Sequence, residues 1–169
     1  MRSSRLTAGV AVGAGITLTA TVTGCTSQPR TVAVVLPTPA GPQTEATCVK
    51  VLAGLPAELD AGVARLQTTP TSPLVGAWGS RSAPIIVRCG VGVPKTYDPA
   101  AELTAVNIDS TGEVGWYAEK RGSVSILTSV RRPVKVELTL PARYRPDVVL
   151  GSVTKVVAQL TPAGADTPD

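Results

Sequence analysis

Histidine is absent from all 169 residues, phenylalanine is absent, methionine occurs once and aromatic residues make up 3% of the chain. The missing imidazole excludes Ser–His and Cys–His dyads, zinc sites built on histidine and a histidine general base. Charged residues are sparse at 17%, against about 25% in an average globular protein. Gly90-Val91-Gly92 lacks the strand-to-helix setting and the Lys-Ser/Thr pair of a phosphate loop. After residue 24 there is no long apolar run, so nothing else is expected to span a bilayer. With 43% hydrophobic residues, the chain nevertheless has enough apolar material for one modest folded domain.

The N-terminus reads as a targeting segment. Arg2 and Arg5 precede an uncharged stretch from Leu6 to Val22, diluted by threonine and glycine, the pattern of a secretory signal rather than a spanning helix. It closes on Val22-Thr23-Gly24-Cys25, which resembles the bacterial lipobox. The resemblance implies that the Cys25 thiol is alkylated with diacylglycerol and that residues 1–24 are cut away as a lipoprotein signal peptide. The alternative is an ordinary signal or an uncleaved anchor with an incidental cysteine. Residues 25–44, with Pro29, Pro37, Pro39 and Pro42, read as a proline-rich tether. Within it, the β-prone run 32–36 is expected to form an edge strand ended by Pro37.

With Cys25 given to lipid, Cys48 and Cys89 remain as an even pair in an exported chain, which predicts a disulfide. Two buried free thiols are the alternative. Apolar spacing predicts a helix over 45–55, with Cys48, Leu52 and Leu55 on one side, and a second short helix over 57–66. Period-two alternation predicts strands at 83–89 and 134–140, and Lys120-Arg121-Gly122 predicts a hairpin turn between strands at 113–118 and 123–130. A helix is expected over 146–160, opened by Pro146-Asp147 and burying Val149, Val153, Val156, Val157 and Leu160. The expected fold class is α+β. An antiparallel meander, covered on one face by helices and stapled by one disulfide, occupies 45–160, and 161–169 form a polar tail.

Cys48-Val49-Lys50-Val51-Leu52, Leu55-Pro56, Trp78-Gly79, Pro84-Ile85-Ile86-Val87-Arg88-Cys89-Gly90-Val91, Val114-Gly115-Trp116 and Arg131 before a valine-rich strand follow one another in order. The set resembles domain-of-unknown-function family 3515, small exported proteins and lipoproteins of actinobacteria. The family pattern includes a second cysteine pair later in the chain, and no cysteine follows Cys89 here. The resemblance brings no activity and no catalytic residue with it.

Candidate binding residues are Trp78 and Trp116, as pocket walls or as core anchors, and Arg88, either buried with a carboxylate or lying on an exposed sheet face. Residues 119–155 hold eight cations against three anions, an excess of +5. Arg131, Arg132 and Lys135 are candidates there for contact with anionic lipids, acidic wall polymers or an envelope protein. Nucleic acid is not an expected partner, and no cofactor or metal is expected. The favoured reading is a non-catalytic binding or accessory module, anchored on the extracytoplasmic face of the cell membrane. A carboxylate-based envelope hydrolase or transferase is the alternative.

Overall fold

A computed structural model describes residues 31–59, 62–107 and 113–161. The signal segment 1–24, Cys25 and residues 162–169 of the polar tail lie outside the described residues. The elements run β1 (Thr31–Ala33), α1 (Pro42–Gly54), β2 (Glu58–Leu59), β3 (Val63–Thr69), β4 (Val75–Ser80), β5 (Ala83–Cys89), β6 (Thr104–Asn107), β7 (Glu113–Arg121), β8 (Val124–Thr128), β9 (Val136–Pro141) and α2 (Pro146–Leu160). The strands join in the order β1-β3-β4-β5-β9-β8-β7-β6, with β2 paired to β3 beside that path. All pairings are antiparallel except β1 with β3, where Thr31 lies against Gln67 and Ala33 against Thr69. The fold is α+β, as the sequence pattern predicts.

Alternation decides the two faces of the sheet. Ile85, Val87 and Cys89 on β5, Val136, Leu138 and Leu140 on β9, and Val114 and Trp116 on β7 are all buried. They meet Cys48, Val51 and Leu52 of α1 and Val149, Leu150, Val153 and Val157 of α2 in one core. Each such aliphatic side chain contributes about 1.5–3 kcal/mol on full burial. Both helices start on a proline that fits the first turn and carry an acid there, Glu45 and Asp147. The second face holds a smaller apolar cluster, Val32, Leu66 and Ala77, with Val34 against it. Further along that face the loop from Gly90 to Ala101 lies over β7. Tyr117 donates its hydroxyl proton to the Thr96 carbonyl at 2.9 Å, and the rings of Tyr97 and Tyr117 meet edge-on at 5.2 Å.

Three expectations need correction. Residues 57–66 are not a helix: Leu59 turns into the main core, while Leu66, on a strand hydrogen-bonded to both β1 and β4, faces the opposite cluster. Cross-strand pairing here outweighs a local spacing that also fits a helix. The edge strand covers 31–33, not 32–36; Val34 still donates its N–H to Thr69, but Val35 is 72% exposed. Residues 31–44 are therefore built into the domain, as β1, a connecting segment and the first turn of α1. Finally, Thr161 is no tail residue: it is 2% exposed and closes α2 by donating from both N–H and hydroxyl to the Val157 carbonyl.

Strand β4 carries no clear pattern in the sequence because its residues are small. Gly76 is small for a reason: a Cβ there would lie 2.5 Å from the Trp78 ring, which folds back over it. Trp78 is fully buried and donates its indole N–H to the Pro56 carbonyl at 3.0 Å.

Cys48 and Cys89 are joined, with Cα atoms 5.3 Å apart, and both are fully buried. The bond bolts α1 to β5 at the middle of the sheet. For a sequence separation of 41, loop-closure entropy gives about 4 kcal/mol. The double substitution Cys48→Ala with Cys89→Ala is expected to lower unfolding free energy by that order, read from the urea midpoint and slope. A loss below about 1 kcal/mol would show that packing alone holds the helix.

Candidate functional site

The sequence-predicted residues fall in separate places. Trp78 and Trp116 are both fully buried; Trp116 donates its indole N–H to the Thr154 hydroxyl at 3.1 Å. They are core anchors and line no surface. Arg88 lies on the face opposite Cys89, directly across from Glu137 on β9, and donates from Nε to Oε1 at 3.1 Å and from Nη2 to the same oxygen. The pair is half-buried, so it belongs to the sheet rather than to a ligand.

Arg131, Arg132 and Lys135 sit between β8 and β9 but do not act as a patch. Arg131 is exposed, while Arg132 is 6% exposed and reaches inward. Its Nη1 donates to the Thr161 carbonyl at 2.6 Å and its Nη2 to the Glu113 carbonyl. It thus fastens the end of α2 to the start of β7. Burial pushes the Arg132 pKa below its ordinary value, by desolvation. The +5 segment therefore divides. Lys120, Arg121, Arg143 and Arg145 lie at one end of the sheet, and Arg131, Arg132 and Lys135 at the other.

A surface groove of about 1140 Å³ is lined by Thr31–Ala33 of β1, Gly62, Val63, Ala64 and Leu66, Gly79–Ser82, Pro84 and Tyr144. It was not legible in the sequence, since its walls come from four distant segments. Tyr144, one of three tyrosines, would have been the cue. It accepts a hydrogen bond from the Ser80 N–H at 3.1 Å on its hydroxyl, and Arg143 donates to the Ser80 Oγ at 3.1 Å while lying 5.4 Å from the Tyr144 ring centre. Gly79 makes this docking feasible: its φ is +89°, and a Cβ would lie 2.2 Å from the tyrosine oxygen. The lining carries hydroxyls and the guanidinium of Arg81, which is itself already partnered. Beside it Arg145 pairs with Asp147, which pulls the Asp147 carboxyl below the usual range and raises Arg145, chiefly through their hydrogen bond. Asp147 therefore keeps its charge to lower pH than an isolated carboxylate.

Among the described residues no helix is long and apolar enough to cross a membrane. The family model described as protein of unknown function (DUF3515) matches residues 6–165, nearly the whole chain. The chain belongs to this family. Comparison with curated proteins and with solved structures finds no match. The residues that carry the family resemblance are thus mostly structural in this member: Cys48 and Cys89 bond, Trp78 and Trp116 fill the core, and Arg88 pairs across strands.

Two outcomes check this division of roles. Arg132→Leu leaves two carbonyls unpaired and is expected to cost about 2–4 kcal/mol, whereas Arg131→Leu stays within about 0.5 kcal/mol, both from urea unfolding. Gly79→Ala is expected to cost about 1–3 kcal/mol from backbone strain alone, plus the displacement of Tyr144. In a double-mutant cycle, adding Tyr144→Ala relieves only the second part, so the two losses sum to more than the loss of the double variant.

Proposed function

We propose that this protein is an extracytoplasmic lipoprotein, held on the cell membrane by lipid on Cys25, whose domain is a non-catalytic binding or accessory module of the envelope. The observation that carries the reading is Cys25 itself, directly after Thr23-Gly24 at the close of an uncharged run that follows Arg2 and Arg5. Diacylglycerol transfer would form a thioether at the Cys25 sulfur, and cleavage between Gly24 and Cys25 would leave it as the first residue. Two or more acyl chains, at about 0.8 kcal/mol per buried methylene, give the stable attachment that one myristoyl chain does not. The buried Cys48–Cys89 bond supports export, because disulfides persist in oxidising compartments. The domain's natural partners in that setting are anionic lipids, acidic wall polymers or another envelope protein.

Cys25→Ala is expected to block processing at Gly24 and to remove the acyl mass. Labelling with a fatty-acid precursor, together with intact mass, reads both. A variant that still loses residues 1–24 and stays on the membrane would overturn the lipoprotein reading.

A further inference from the structure

Three turns meet at one end of the sheet. They are the β4–β5 turn at Ser80–Ala83, the β7–β8 turn at Arg121–Val124 and the β9–α2 loop at Pro141–Arg145. They are fastened to one another. Tyr144 and Arg143 bond to Ser80, as described above. Ala142 donates its N–H to the Ser123 carbonyl at 2.8 Å, next to the Val124–Pro141 register pair. The result is a ridge along which Arg81, Lys120, Arg121, Arg143 and Arg145 are all exposed. Asp147 pairs with Arg145 at the ridge, and Glu119, two register pairs inward, pairs with Arg121. Among the described residues of these three turns and the strand ends beside them, that is four cations besides the partnered Arg81, against two anions.

The chain enters the domain from this side. Thr31 lies against Gln67 in mid-strand, and β1 runs parallel to β3, whose Val63 end lies toward Ser80, so the N-terminal end of β1 points toward the ridge. Between Cys25 and Thr31 lie only Thr26-Ser27-Gln28-Pro29-Arg30. Six residue steps at 3.3–3.6 Å cannot exceed about 22 Å, however the chain runs. A domain of about 130 residues has a radius of gyration near 14 Å and is thus some 35 Å across. The tether is shorter than the body it holds. The 25–44 segment, read from sequence as a proline-rich tether, does not lift the domain away, because it is folded into it from Thr31 onward.

We propose that this ridge is the membrane-facing end of the protein and that its arginines contact the phosphate groups of anionic phospholipids. The proposal rests on the Cys25 anchor. The tether limits Thr31 to the neighbourhood of the surface, and charge then selects among the orientations left. Each Lys or Arg close to an anionic leaflet is worth about 1 kcal/mol and acts only within a Debye length, about 8 Å at physiological ionic strength. Guanidinium groups match phosphate oxygens in a two-point geometry. The opposite end, with Cys89, Gly90 and Arg131, is then turned outward.

The test uses the processed protein with its lipid, reconstituted in vesicles carrying a headgroup-bound nitroxide quencher. Two single reporters bear the same dye: Ser82→Cys on the ridge and Pro133→Cys, also exposed, between β8 and β9 at the far end. In phosphatidylglycerol vesicles, quenching at position 82 is expected to exceed that at 133 several-fold. The contrast should shrink in phosphatidylcholine or in about 1 M salt, where the Debye length is near 3 Å. Lys120→Glu with Arg121→Glu should abolish it while the urea midpoint stays in place. Equal quenching at the two positions in phosphatidylglycerol, or a contrast indifferent to lipid charge, overturns the proposal. Mass analysis of Cys25 separates the two failures. A chain without acyl groups fails the anchor reading, whereas an acylated chain with uniform quenching fails the orientation alone.

Discussion

The bond between Cys48 and Cys89 joins the one helix face to the one strand on which the rest of the packing is registered. Strand β5 is the hub: β4 lies along one side of it and β9 along the other. Its core-facing residues Ile85, Val87 and Cys89 are completely buried. Helix α1 lies against β5, and α2 lies against α1 and the far strands β6 and β7. Fixing α1 at Cys89 therefore fixes the seat against which α2 closes. A chain without phenylalanine has few large side chains to fill the space under such a seat, and two tryptophans do it. Each of their indole N–H groups meets an acceptor, so burying them leaves no polar penalty.

What could be read from the sequence was whatever a single element decides by itself. Val136, Leu138 and Leu140 alternate with polar neighbours and form a half-covered strand; the valine stripe of 149, 153 and 157 forms a buried helix face. What could not be read depends on two elements at once. Leu59, Val63 and Leu66 have helical spacing, yet Leu59 and Leu66 serve different cores. Strand β4 is hidden in Val75-Gly76-Ala77, because the bulk that fills its face belongs to Trp78 folding back. Arg131 and Arg132 are adjacent and chemically identical, but one is exposed and the other spans two carbonyls from different elements. The groove is the extreme case, since Thr31, Ser80 and Tyr144 become neighbours only once the sheet and α2 are in place.

The placement of charge follows the same division. Within the sheet Arg88 is neutralised by Glu137 in cross-strand register, while Arg65 lies over the Trp78 ring and donates to the Leu52 carbonyl. Cations at the turns, apart from the buried Arg132, stay in solvent, where a pair such as Arg145–Asp147 contributes little to stability and shapes the surface field instead. A chain with so few charged residues thus keeps most of its guanidinium groups at strand ends. Any long-range electrostatic character it has comes from those ends and not from the faces of the sheet.

The parallel pairing of β1 with β3 has a mechanical side. Tension on the chain before Thr31 runs along the strand axis, so the few β1–β3 hydrogen bonds resist it together in shear instead of opening one by one. With three residues in the strand and one further bond from Val34, this is a weak clasp that yields early. Once released, the segment from Thr31 to Cys48 pays out about 60 Å of extended chain at 3.3–3.6 Å per residue. The load then arrives at a covalent link to the central strand. The protein thus has a soft element in series with a hard stop, and a pull from the N-terminal side is absorbed before it reaches the core.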